Sequence, residues 1–81
     1  MTTAAYNRVK VTLLLSQTPM SIIEITDQIY KSWGERYSVN SIGTRVTDPK
    51  LRKSLLALGY TIKSERRERS KPEHVYSLER V

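Results

Sequence analysis

The chain has 81 residues and a net charge of +6, which indicates one small basic domain covering residues 1–81. It contains no cysteine and one histidine, so disulfides, thiolate catalysis and the usual zinc or haem sites are excluded. The apolar stretch at residues 11–15 is interrupted by Thr12 and is too short to span a membrane. We therefore expect a cytoplasmic protein without a membrane partner.

Positive charge is concentrated in the second half of the chain. From Arg45 onward, ten Lys or Arg residues and five Asp or Glu residues give a balance of +5, which leaves +1 for the residues before it. A basic surface of this kind suits a polyanion, and nucleic acid is the most common one.

Apolar spacing predicts a first helix over about residues 3–16. Tyr6, Val9, Leu13 and Leu14 recur at helical intervals, and we expect them to form its buried face. The sequence that follows this segment contains Pro19, which ends the pattern.

A capping signal predicts the start of a second helix. Ser21 and Glu24 have the spacing of a capping box, and Gly34 is placed to end the helix after about Trp33. The expected apolar face contains Ile22, Ile25, Ile29 and Trp33.

Ser38 can cap a third helix that runs to a break at Asp48 and Pro49. Proline disfavours helical angles in the residue before it, yet Asp followed by Pro also starts a new helix well. The expected buried positions of the third helix are Val39, Ile42 and Val46. An apolar stripe continues beyond the break through Leu51, Leu55 and Leu58.

Two short strands follow Gly59, at residues 60–62 and 75–78, because apolar and polar side chains alternate there. The loop between the strands carries four cations with few acidic partners, so burying it would cost hydration energy. We expect this loop to project into water. Its cations are Arg66, Arg67, Arg69 and Lys71.

This order of elements resembles the winged helix-turn-helix domains of small prokaryotic and bacteriophage DNA-binding proteins. The resemblance covers residues 13–78 and depends on residues 20–25, 38–45 and 58–62, together with the hairpin. It implies a mainly helical α+β fold with three to four helices and a C-terminal two-stranded β-hairpin as the wing. Asp48 and Pro49 make the stretch between the third helix and Gly59 longer than is usual in that family.

The resemblance places the third helix in the major groove. If Val39, Ile42 and Val46 face the core, the outward side chains are those that can contact base edges or phosphates. These candidates are Asn40, Ser41, Thr44 and Arg45. The wing candidates are Arg66, Arg67, Arg69 and Lys71, and further phosphate contacts are expected from Ser21, Ser38, Lys50 and Lys53. An ordinary solvated surface is the alternative for the helix and wing residues, and capping of the second helix is the alternative for Ser21.

The favoured function is therefore sequence-specific binding of double-stranded DNA, as a small transcriptional regulator or a replication or recombination accessory factor. A single small module offers little area for specificity, which favours a homodimer or cooperative binding on repeated half-sites. The alternative is a protein-protein interaction module, an inhibitor or adaptor with a protein partner. Charge alone does not distinguish DNA from RNA, and the resemblance favours duplex DNA. We expect neither an enzyme nor a cofactor, because the sequence has no phosphate loop, metal cluster or paired nucleophile and base.

Overall fold

The structure is a computed structural model that describes residues 2–66 and 74–81. Within that part of the chain it is α+β and mainly helical, as predicted. The elements in chain order are α1 (Thr3–Gln17), β1 (Met20–Ser21), α2 (Ile22–Trp33), α3 (Val39–Val46), α4 (Pro49–Ala57), β2 (Tyr60–Arg66) and β3 (His74–Arg80). No helix among the described residues is long and apolar enough to cross a membrane.

The strands form one antiparallel sheet in the order β1-β3-β2. Tyr60 pairs with Arg80 at one end of the β2–β3 hairpin, and Arg66 pairs with His74 at the other. The predicted hairpin is confirmed and both strands are longer than expected. β1 was not predicted, because it contains only two residues and exists through the pairing of Met20 with Tyr76 on β3.

Local capping signals set the helix ends. Ser21 Oγ accepts a hydrogen bond from the Glu24 amide at 3.2 Å, and the Ser21 amide donates to Glu24 Oε1 at 3.0 Å. These two bonds complete the predicted capping box of α2. Gly34 ends the same helix with a φ of 70°, a left-handed conformation that glycine adopts without a Cβ clash.

Asp48 and Pro49 separate α3 from α4, as predicted. Asp48 Oδ1 accepts a hydrogen bond from the Lys50 amide at 2.9 Å, and Pro49 occupies the first helical position of α4. Proline needs no hydrogen-bond acceptor there, because the first amides of a helix have no partner within the helix.

One hydrophobic core lies between the helices and the sheet. Its buried members come from all four helices and two strands: Val11, Leu14, Leu15, Met20, Ile25, Ile29, Ile42, Val46, Leu51, Leu55 and Ile62. Ile22, Tyr37, Tyr60, Tyr76 and Leu78 are partly buried against this core.

The prediction for the buried face of α1 was wrong in all but one residue. Tyr6, Val9 and Leu13 are about half exposed, whereas Leu14 is buried together with Val11, Leu15 and Asn7. The error has a physical reason: α1 has apolar side chains on two opposite faces, so periodicity alone does not show which face meets the core.

Three predicted core positions at helix ends are exposed as well. Val39 is the first residue of α3, Trp33 is the last residue of α2, and Leu58 lies just beyond the last turn of α4. Each lies beyond the part of its helix that packs on the core. Trp33 is contacted by the Lys10 ammonium, which lies 5.5 Å from the ring centroid.

Candidate nucleic-acid interface

Two buried side chains fix the rotation of α3 about its axis. Ile42 and Val46 are fully buried, so Asn40, Ser41 and Thr44 lie on the opposite side of the helix. Asn40, Ser41 and Thr44 are all exposed, as predicted from the spacing. The structure thus brings three of the four predicted base-reading residues onto one exposed face.

Gly43 lies on the inner side of α3, against α2. A Cβ atom at this position would lie 3.4 Å from Ile22 Cδ1. The small residue therefore allows α3 to pack closely on α2, which holds the two helices in a fixed relation.

The polar side chains on the exposed face of α3 differ in their hydrogen bonding. Thr44 Oγ1 donates to the Asn40 backbone carbonyl at 2.9 Å, and Ser38 Oγ donates to Ser41 Oγ at 2.9 Å. The Ser41 amide donates to Ser38 Oγ at 3.1 Å, which caps the helix. Within residues 2–66 and 74–81, the Asn40 side-chain amide has no hydrogen-bond partner, so both its donor and its acceptor face solvent.

Arg45 is held in place by an ion pair that the sequence analysis did not identify. Its Nη1 donates to Asp48 Oδ2 at 2.9 Å, and Arg8 Nη1 from α1 donates to the same oxygen at 3.0 Å. Arg45 is only 22% exposed as a result. The i,i+3 spacing of Arg45 and Asp48 could have predicted this pair from sequence. The contact with Arg8 could not be predicted in this way, because Arg8 is 40 residues from Asp48.

Asp48 is the carboxylate that joins α1, α3 and α4. The hydrogen bond from the Lys50 backbone amide lowers the pKa of Asp48, burial opposes this shift, and Arg8 and Arg45 lower the pKa further. Asp48 is therefore ionised at neutral pH and holds the Arg45 guanidinium beside the exposed face of α3.

The first turns of α1 lie next to this face, which was not predicted. A cleft of about 330 Å³ lies between α1 and α3 and is lined by Thr3, Ala4, Asn7, Tyr37, Ser41, Thr44 and Arg45. Asn7 Oδ1 is buried and has no hydrogen-bond partner among the described residues. Sequence alone gave no signal for this contact, because it joins segments more than thirty residues apart.

The remaining predicted contacts lie on α4, on the hairpin and at the N-caps of α2 and α3. Lys50 and Lys53 are exposed on α4, and Arg66 is exposed at the end of β2. Ser38 is exposed and its hydroxyl caps α3. Ser21 is 1% exposed and its hydroxyl is used in the capping box, so we leave it out of the candidate interface.

Lys63 on β2 is engaged within the hairpin. Its ammonium lies 2.9 Å from Glu65 Oε1, and the hydrogen bond with Glu65 raises the pKa of Lys63, with a smaller contribution from Glu79. Three other predicted hairpin cations, Arg67, Arg69 and Lys71, lie outside the described residues. Of the four predicted wing residues, the structure thus describes Arg66 alone.

Comparisons with protein-family models, with curated proteins and with solved structures find no match to this chain. The resemblance to winged helix domains therefore remains a prediction from sequence. Function is inferred from the residues and their arrangement.

Proposed function

We propose that this protein binds double-stranded DNA in a sequence-specific manner through a winged helix-turn-helix fold. In this proposal α2 and α3 form the helix-turn-helix, α3 lies in the major groove, and the β2–β3 hairpin is the wing. The observation that carries the proposal is the exposed face of α3, where the Asn40 amide, unpaired within the described part of the chain, lies beside Ser41 and Thr44.

The side chains on this face suit the edges of bases. Asn40 can form a bidentate pair with adenine, and its side-chain amide has no hydrogen-bond partner among the described residues that binding would have to break. Thr44 can contact a thymine methyl group, and Ser41 can bond to a base edge or a phosphate. Arg45, whose guanidinium bonds to Asp48 at 2.9 Å, would contact guanine or a nearby phosphate in this proposal.

Cations outside α3 provide attraction that does not depend on sequence. Lys50 and Lys53 are exposed on α4, and Arg66 is exposed on β2. With the remaining hairpin cations Arg67, Arg69 and Lys71, they would contact phosphates and release bound counterions. Affinity should then fall steeply as salt is raised.

The biological role we propose is that of a small transcriptional regulator or an accessory factor in replication or recombination. It would act in the cytoplasm of a prokaryotic cell or a phage-infected host. The proposal assigns no catalytic step and no cofactor to the chain. Two copies acting on paired half-sites would provide more specificity than one.

Selection of bound fragments from a random duplex pool tests this proposal. The expected result is enrichment of a short motif that contains adenine at a fixed position and is lost from the pool recovered with Asn40→Ala. Recovery of unenriched sequence from the wild-type protein would contradict sequence-specific binding.

One observation favours a protein-protein interaction module as the second candidate. Ile23, Tyr30 and Val39 are exposed apolar residues that line a cleft of about 410 Å³ between α2 and the start of α3. In this case an acidic protein would bind the cleft and the basic hairpin together. Strong, salt-dependent DNA binding favours the first candidate, whereas a 1:1 protein complex without measurable DNA affinity favours the second.

A further inference from the structure

Asn7 is a buried polar residue whose side chain is not paired within the described part of the chain. It lies one turn before Val11 on the inner face of α1 and is 4% exposed. Its Oδ1 is buried and has no hydrogen-bond partner within residues 2–66 and 74–81. Buried polar side chains are nearly always paired, because an unpaired one loses its hydration without replacement. Asn7 therefore points to a ligand.

The side-chain amide of Asn7 presents a hydrogen-bond donor to the cleft of about 330 Å³ between α1 and α3, which we call the α1–α3 cleft. Oδ1 is buried, whereas Nδ2 keeps some accessible surface and also has no partner among the described residues. The atom that a ligand in the cleft can reach is therefore Nδ2, which only donates.

The first turn of α1 adds two main-chain donors. Thr2 caps the helix, because its Oγ1 accepts from the Ala5 amide at 3.2 Å and its carbonyl accepts from the Tyr6 amide at 3.0 Å. The amides of Thr3 and Ala4 have no acceptor within the described residues, as is usual for the first amides of a helix. Both residues line the α1–α3 cleft. The free amides at a helix N-terminus carry partial positive charge and favour an anion.

Arg45 adds a full positive charge to the same cleft. It is the one charged side chain among the described residues that line the cleft. Arg45 and Arg8 share the carboxylate of Asp48, so two cations and one anion leave this cluster with a balance of +1. Arg45 Nη1 bonds to Asp48, and the guanidinium has further N–H groups for a ligand.

We propose that the α1–α3 cleft binds a phosphate group. Phosphate carries negative charge and several acceptor oxygens in different directions, which suits donors that come from two helices and an arginine. Glu35 does not oppose this binding, because it is paired with Lys10 while it accepts from Tyr37 Oη at 3.0 Å. The proposed donors are Asn7 Nδ2, the amides of Thr3 and Ala4, and the Arg45 guanidinium.

The phosphate can belong to a DNA backbone or to a small molecule. In the proposed DNA complex, α3 lies in the major groove with backbone phosphates at its flanks, and the α1–α3 cleft lies at one flank of α3. Only the assignment to DNA rests on the proposed function. The phosphate site itself is tested without DNA, by inorganic phosphate.

Residue-resolved NMR of the ¹⁵N-labelled full chain at pH 7 provides this test. Inorganic phosphate should shift the backbone amides of Thr3 and Ala4 and the side-chain amide of Asn7, with a dissociation constant on the order of 1–10 mM. Chloride at the same ionic strength should leave these signals in place. If phosphate does not shift these three groups more than chloride does, the proposal is wrong.

Thr3→Pro removes one proposed donor while keeping the helix start. Proline suits the first helical position, and Thr2 already has the extended conformation that precedes proline, with a ψ of 162°. Thr3→Ala is the matched control, because both variants lose the hydroxyl and only Thr3→Pro loses the amide N–H. Thr3→Pro should bind phosphate about 5-fold or more weakly than Thr3→Ala. Equal affinities would overturn the role of the helix start.

Asn7→Leu removes the Nδ2 donor and keeps a side chain of similar size. It should weaken phosphate binding about 5-fold or more, while its melting temperature stays unchanged or rises, because the unpaired Oδ1 is removed as well. Gln17→Ala, at the far end of α1, should bind phosphate as the wild type does. Circular dichroism checks the helical content of each variant, and the Thr3 pair tests the site if Asn7→Leu does not fold.

Duplex DNA then distinguishes the two sources of phosphate. Losses of about 5-fold or more for Thr3→Pro and Asn7→Leu on both the selected and a scrambled duplex would assign the site to the DNA backbone. Unchanged duplex affinity with weakened phosphate binding would assign it to a free phosphate compound. Absence of DNA binding by the wild type would refute the proposed function and leave the phosphate site standing. Phosphate shifts that persist unchanged in both variants would indicate an adventitious ion only and overturn the proposal.

Discussion

Replacing Asn40 with alanine should separate base reading from general attraction to DNA. Asn40 is exposed on α3, and its side chain makes no hydrogen bond among the described residues, so its removal leaves the fold intact. Its backbone carbonyl accepts a hydrogen bond from Thr44 Oγ1, and the substitution keeps that carbonyl. The stability of Asn40→Ala should stay within about 0.5 kcal/mol of the wild type.

The loss of affinity is set by the bidentate contact that the amide can make. Such a pair discriminates a correct base by about 1–3 kcal/mol. The dissociation constant of Asn40→Ala at the selected site should therefore be roughly 5- to 150-fold larger than that of the wild type. On a scrambled duplex, where no base pairs with the amide, affinity should change by less than about twofold.

Fluorescence anisotropy with both duplexes at one salt concentration measures these losses. Gln17→Ala is the matched control, because Gln17 is an exposed amide at the far end of α1. It should bind both duplexes as the wild type does. Equal losses for Asn40→Ala on the two duplexes, or no loss on either, would show that α3 does not read bases. Arg45→Ala does not isolate base contact in the same way, because it also removes an ion-pair partner of Asp48.

Three further predictions concern the hairpin, the α2 cap and the ion pair of α4. Arg67→Ala combined with Arg69→Ala should weaken binding to any duplex and lower the salt slope by about 2, at ~0.9 per phosphate contact; an unchanged slope would remove the hairpin from the interface. Ser21→Ala should lower the melting temperature by roughly 4–8 °C through loss of about 1 kcal/mol of capping, and an unchanged melting temperature would contradict the role of the cap. The lowered pKa of Asp48 contributes stability above its ordinary pKa, and this contribution is lost as pH falls below about 4. Asp48→Asn should therefore lose less stability than the wild type between pH 5 and 2 in urea unfolding, and identical pH profiles would contradict this role.

The ends of the helices could be predicted from the sequence where they depend on neighbouring residues. The capping box of Ser21 and Glu24, the helix end at Gly34 and the break at Asp48 and Pro49 each depend on residues within a few positions of one another. The exposed face of α3 followed from the same local logic, because buried Ile42 and Val46 leave Asn40 on the other side.

The features that sequence did not predict depend on distant contacts. The buried face of α1 depends on which of two apolar faces meets the core, and the two-residue β1 exists only through pairing with β3. The fixed position of Arg45 depends on Asp48, which also binds Arg8 from α1. Local periodicity contains no information on such pairings, because they join segments that folding brings together.

The central claim, sequence-specific binding of duplex DNA, is tested most directly by the affinities of the wild-type chain for its selected site and for a scrambled duplex. Both should be measured by anisotropy at several salt concentrations. We predict affinity about 1,000-fold or more tighter for the selected site, and weaker binding to both duplexes as salt rises. Equal affinities for the two duplexes at every salt concentration, or no measurable binding to either, would contradict the account.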